Sequence, residues 1–162
     1  MFKPLAALVA AVTLSVPAVA SVDPGTVHLL QTLEEYGITI EYNPSHCSNG
    51  YAGRYTTAKL MTLCYTGQPT ASDHDTTRHE TMHVLQHCAA IRRGDTRGIV
   101  PLAINPNQRN QWISSVLSSG QINQIQQSYP TRAHQVELEA FAAAAHYDAY
   151  ELASLVKSWC VK

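Results

Sequence analysis

Four cysteines, Cys47, Cys64, Cys88 and Cys160, constrain the fold of this 162-residue chain more than any other feature. What they do depends on the compartment, and the N-terminus bears on that. Met1-Phe2-Lys3 is a short positive end, Leu5 to Val16 an apolar run, and Ala18-Val19-Ala20 a small-residue cleavage signature, so residues 1–20 read as a secretory signal peptide. The apolar run is shorter than the roughly 20 residues that span a bilayer, and the segment contains Pro17, so stable membrane insertion is not expected. An exported protein, periplasmic or secreted, meets an oxidising environment, where four cysteines without a Cys-x-x-Cys pair are best read as two disulfides. Three connectivities are possible. Cys47 and Cys64 flank strand-like sequence, whereas Cys88 and Cys160 lie in helix-like sequence, and this locality favours 47–64 with 88–160.

Removing twenty residues from 162 leaves 142, the size of one domain, 21–162, with no internal repeat or change of composition to divide it. Hydrophobic residues make up 45% of the chain and charged ones 14%, enough apolar surface to offset ordering entropy. The formal net charge of −1 offers no basic field for nucleic acid.

Asp23 to Tyr36 reads as a helix with Val27, Leu30 and Leu33 on one side and Gly37 as its stop. Ile38, Ile40 and Tyr42 alternate with polar residues, Tyr51 to Thr57 and Lys59 to Tyr65 are further strand candidates, and Asn43-Pro44, Asn49-Gly50 and Gly67-Gln68-Pro69 are turns. Helices dominate afterwards, apart from an irregular stretch from Arg92 to Gln108. Within it, Arg93-Gly94-Asp95 matches a tripeptide read by adhesion receptors, but three residues carry little specificity.

The chemistry is concentrated in His79-Glu80-Thr81-Met82-His83. Ser72 or Asp73 can cap a helix that Arg92, Arg93 and Gly94 end, giving a span of about Asp73 to Arg93. Four residues at about 100° each bring His79 and His83 to one face, a turn apart, as two ligands of one metal must be. Glu80 sits beside that face, placed to take a proton from water without being a ligand. By chance alone, a chain of this composition contains the pattern roughly once in sixty.

A second helix strengthens the pattern. Thr131 to Tyr147 lacks Gly and Pro, and Ala133, Val136, Ala140, Phe141, Ala144 and Tyr147 make an apolar face that includes Glu137. Glu139 falls about 160° away from that face, on the polar side with Arg132, Gln135 and His146. A carboxylate facing a core costs several kcal/mol unless paired, so Glu137 needs a cation. Zinc on His79 and His83 is one candidate; an arginine such as Arg54 or Arg78 is another. The small side chains of Ala142 to Ala145 allow the close helix approach that a shared ion requires.

His79-Glu80-x-x-His83 followed by Glu137-Leu138-Glu139-Ala140 resembles the gluzincin class of zinc metallopeptidases, especially its small single-domain (minigluzincin-like) forms. The metzincin pattern does not fit, because Gln86 and Ala89 stand where its glycine and third histidine would be. The resemblance implies that His79, His83 and Glu137 bind Zn2+, and that Glu80 is general base and acid. It also implies that the strand Lys59 to Tyr65 borders the cleft and pairs with an extended peptide. One departure is Phe141, where many gluzincins carry an Asp that orients a zinc-bound histidine; here another group must hold the ring.

Further histidines and tyrosines surround this motif. His87 continues the ladder, but one straight helix cannot wrap three ligands around a tetrahedral ion, so a place at the rim of the site is expected. His134, about 60° from Glu137 on the wheel, competes with Tyr129 and Tyr147 as donor to the oxyanion of peptide hydrolysis. His28 and His46 read as surface or packing residues.

The disulfide pairing adds a geometric expectation. In one straight helix Cys160 would lie about 34 Å beyond Glu137, at about 1.5 Å per residue, yet Cys88 is five residues past His83. Bridged Cα atoms are no more than about 7 Å apart, so the chain must turn back near Tyr147 to Tyr150.

The expected protein is therefore α+β: about three strands packed on a zinc-binding helix, then a mostly helical C-terminal half. Its expected role is an exported, monomeric zinc peptidase acting on peptides or proteins. A zinc-stabilised binding module without turnover is the alternative, followed by a disulfide-held interaction domain.

Overall fold

The computed structural model describes residues 23–45, 47, 52–65 and 69–161. The signal-peptide reading of 1–20, His46, the Asn49-Gly50 turn, Tyr51 and the Gly67-Gln68 part of the last turn lie outside these residues. The architecture is α+β, as expected from the sequence. Its elements are α1 (Pro24–Glu35), β1 (Thr39–Tyr42), β2 (Gly53–Thr56), β3 (Leu60–Leu63), α2 (Ala71–Arg92), α3 (Pro106–Val116), α4 (Ser119–Ser128), α5 (His134–His146) and α6 (Ala149–Trp159).

Helix α1 starts where the Asp23 carboxylate accepts the Thr26 N–H at 2.8 Å, with Pro24 fitting the first turn, and stops at Gly37, whose φ of +79° suits glycine. Its buried face is Thr26, Leu29, Thr32 and Leu33. Val27, expected inside, is exposed, because α1 packs on α6 and α2 through the other stripe. Tyr42, expected on the buried face of its strand, is likewise exposed at the sheet edge.

The three strands lie in the order β1-β3-β2, β1 parallel to β3 and β2 antiparallel to it. This revises one expectation. Both sides of β3 are hydrogen-bonded, so the Lys59 to Tyr65 strand has no edge to offer a peptide; among the described residues the outer edge of β2 has no partner strand.

Helix α2 runs through the middle of the molecule, packed against α5, α6, β2 and β3. A capping box starts it, but the cap is Thr70 rather than Ser72 or Asp73: Thr70 Oγ1 accepts from the Asp73 N–H, and the Asp73 carboxylate accepts from the Thr70 N–H. Gly94, φ +84°, ends it. From His79 to His87 every residue is buried, which marks a helix enclosed on all sides.

The first core gathers α1, the sheet, α2 and α6 around Leu29, Leu33, Met61, Leu63, Leu85, Leu152 and Val156. The second joins α3, α4 and α5 through Ile113, Leu117, Ile125 and Ala142. The disulfides are Cys47–Cys64 and Cys88–Cys160, and the chain does turn back between α5 and α6, where Asp148 caps α6. Among the described residues no helix is long and apolar enough to cross a membrane.

Candidate metal centre

Helices α2 and α5 bring three ligand atoms together. His79 Nε2 and His83 Nε2 are 3.1 Å apart, and Glu137 Oε2 lies 3.3 Å from the first and 3.6 Å from the second. Ligand atoms at about 2.0–2.1 Å from a tetrahedral zinc are about 3.3–3.4 Å from each other, so the triangle has the size of one face of such a site. Glu137 Oε2 is buried, faces the two imidazole nitrogens and makes no well-formed hydrogen bond among the described residues. The group could hold a metal ion. The alternative partners are occupied elsewhere: Arg78 pairs with Asp75 and donates to the Ala144 carbonyl, and Arg54 is exposed on β2.

Burial pushes the Glu137 carboxyl up, but the two imidazoles beside it prevail and bring it down to about 2. His83 shows the reverse contest. Burial lowers its pKa, while Glu137, Glu80 and Gln86 raise it by more, so it ends above the ordinary histidine value. Glu80 is held above the usual carboxylate range by burial, offset in part by His79 and His83.

Glu80 lines a cleft of about 680 Å³ together with His79, Tyr129 and Phe141. Part of the lining is the β2 end, Ala52 and Gly53, and another part is α4, with Gln121, Gln124, Ile125 and Ser128. Helix α4 lacks a chemical motif that would single it out along the chain. Its signals are present nonetheless: Ser118 and Gln121 form a capping box, and Asn105 with Pro106 starts the preceding α3.

The three oxyanion candidates separate. Tyr129 lines the cleft, and burial, then Glu137 and Glu80, raise its hydroxyl pKa, which keeps it a donor. His134 donates its Nε2–H to the Tyr129 carbonyl at 2.8 Å and is not among the cleft-lining residues. Tyr147 packs against Trp112 and His146 and is likewise outside the lining.

His87 is not at the rim. It is 3% exposed, with Nδ1 2.7 Å from the Tyr55 hydroxyl and Nε2 3.3 Å from the Thr96 carbonyl, on the wall of a separate cavity of about 180 Å³. Glu139, expected on a polar face, is 2% exposed. Helix α5 is covered on two sides, and Glu139 meets the loop after α2, whose Leu102 and Ala103 N–H groups it accepts at 2.7 and 3.1 Å. His79 Nδ1 is buried without a hydrogen-bond partner among the described residues, and Phe141 lies against that ring, centroids 4.4 Å apart. Arg93 folds back onto the Pro101 and Leu102 carbonyls, which engages the first residue of the Arg-Gly-Asp tripeptide in the loop itself.

No family model, no curated protein and no solved structure matches the chain.

Proposed function

We propose that the protein is an exported zinc-dependent peptidase whose active site is the cleft lined by His79 and Glu80, with His83 and Glu137 completing the metal centre beside it. The observation that carries this reading is the convergence of Glu137 Oε2 on two imidazole Nε2 atoms, with Glu80 beside them on the cleft wall. Two nitrogen donors and one carboxylate suit zinc, with room left on the cleft side for water and substrate. The metal, when bound, acidifies water and polarises the scissile carbonyl.

Glu80 accepts the proton of the attacking water on its carboxylate and returns it to the nitrogen of the leaving amine. Its raised pKa suits the second of these steps, because it lets the protonated form persist long enough to act as an acid. The Tyr129 hydroxyl donates to the developing oxyanion. An extended peptide pairs with the free edge of β2, whose backbone supplies affinity with little sequence preference. The two disulfides fit an oxidising, extracytoplasmic location.

Glu80→Gln tests the reading. It should retain about one zinc per chain by elemental analysis and lose about a hundred- to ten-thousandfold in turnover of a mixed peptide library. A zinc-loaded variant as active as the parent would end the assignment, and a zinc-loaded parent without hydrolysis would favour a binding module.

A further inference from the structure

A buried amide links His83 to the loop after α2 through Glu139. Gln86, one turn past His83 on α2, is fully buried. Its Nε2 lies 2.9 Å from the Val136 carbonyl and 2.9 Å from Glu139 Oε2, and both of these are acceptors. Both amide hydrogens are therefore used there, which fixes the orientation of the amide and leaves Oε1 facing His83 Nδ1 at 2.8 Å. A carbonyl oxygen accepts only, so the hydrogen on that contact must belong to His83.

Glu139 is held in its turn. The Leu102 and Ala103 N–H groups donate to its two oxygens, so three N–H donors in all converge on this carboxyl. The donors converge on Glu139 from both ends, from the His83 Nδ1–H through Gln86 on one side and from the loop backbone on the other. Every member is buried or partly buried, where a mismatched donor or acceptor goes uncompensated by water.

We propose that Gln86, oriented by Glu139, locks His83 in the Nδ1–H tautomer and so keeps the Nε2 lone pair directed at the point where His79 Nε2 and Glu137 Oε2 converge. Gln86 and Glu139 are thus positioning residues for this ligand, the role that Phe141 cannot fill for His79. The consequence for metal affinity rests on the reading of His83 as a ligand given above; the tautomer itself does not.

The tautomer is read in the metal-free protein from long-range proton–nitrogen correlations of the imidazole rings, at a pH where the ring is neutral. His83 should carry its proton on Nδ1, and in Gln86→Met the population should move toward Nε2–H. Zinc affinity, measured by chelator competition on folded protein, should fall about 10–100-fold in Gln86→Met and in the same direction in the isosteric Glu139→Gln. A His83 protonated on Nε2 in the parent would overturn the proposal without needing any variant, as would a folded Gln86→Met in which His83 keeps both its Nδ1–H population and the parent's zinc affinity. If the parent binds no zinc but shows Nδ1–H, the tautomer lock stands and the peptidase reading fails.

Discussion

Gly53 on β2 and Thr76 on α2 approach so closely that a Cβ on the glycine would lie 2.6 Å from the Thr76 Cγ2 methyl, and 3.1 Å from Glu80 Cγ. The cleft wall and the candidate base are therefore in contact through a position where a side chain does not fit. Gly53→Ala should destabilise the fold by about 1–3 kcal/mol, since overpacking forces helix and strand apart. Turnover should fall about ten- to a hundredfold as Glu80 is displaced. Thr76→Ser removes the offending methyl, so the Gly53→Ala/Thr76→Ser pair should regain most of the lost stability in a denaturant titration. Equal stability of parent and Gly53→Ala would show that the contact is loose.

The Glu137 and His83 shifts make a signed prediction about pH. Glu137, depressed from 4.5 to about 2, contributes stability that is present above about pH 4.5 and lost as pH falls toward 2. His83, raised above 6.5, contributes stability that is complete below pH 6.5 and lost as pH rises through its folded value. In the metal-free protein their mutual stabilisation is therefore greatest between about pH 4.5 and 6.5. Zinc needs the unprotonated ring, so the rise in melting temperature on adding zinc should grow from pH 5 to pH 8. Thermal unfolding with and without the metal measures this, and a zinc shift of the same size at both ends would contradict His83 ligation.

Tyr129 and Tyr147, equivalent candidates on sequence grounds, should part company in kinetics. Removing a donor from the oxyanion site costs about a hundred- to a thousandfold in kcat, and Tyr129→Phe should pay that with zinc content unchanged. Tyr147→Phe should leave kcat within about twofold, because its ring packs on Trp112 and His146 away from the cleft lining. Similar kcat values for the two variants would remove Tyr129 from the mechanism.

The features legible in the sequence are those that one rigid element decides. The i, i+4 spacing of His79 and His83 sets their common face whatever surrounds the helix, and Glu80 follows from its place between them. Gly37 and Gly94 end helices through their own backbone freedom. The cysteine pairing and the turn between α5 and α6 followed from locality and the reach of a disulfide.

Glu139 is where that reasoning ended. A helical wheel assigns one face to the core and the other to water, but α5 is covered by α2 on one side and by the loop around Leu102 on another, so both Glu137 and Glu139 point inward. Gln86 and Glu139 are 53 residues apart, and no spacing rule joins them. The free edge of β2 was hidden for the same reason. Strand order depends on which partners pair through space, and here β3, not β2, took the centre. Sequence by itself determined that His79 and His83 share one face of α2 with Glu80 beside it; only the packing of α4, α5 and β2 around that helix decided which groups meet them and what walls the cleft, because those neighbours are set by tertiary contact and not by position along the chain.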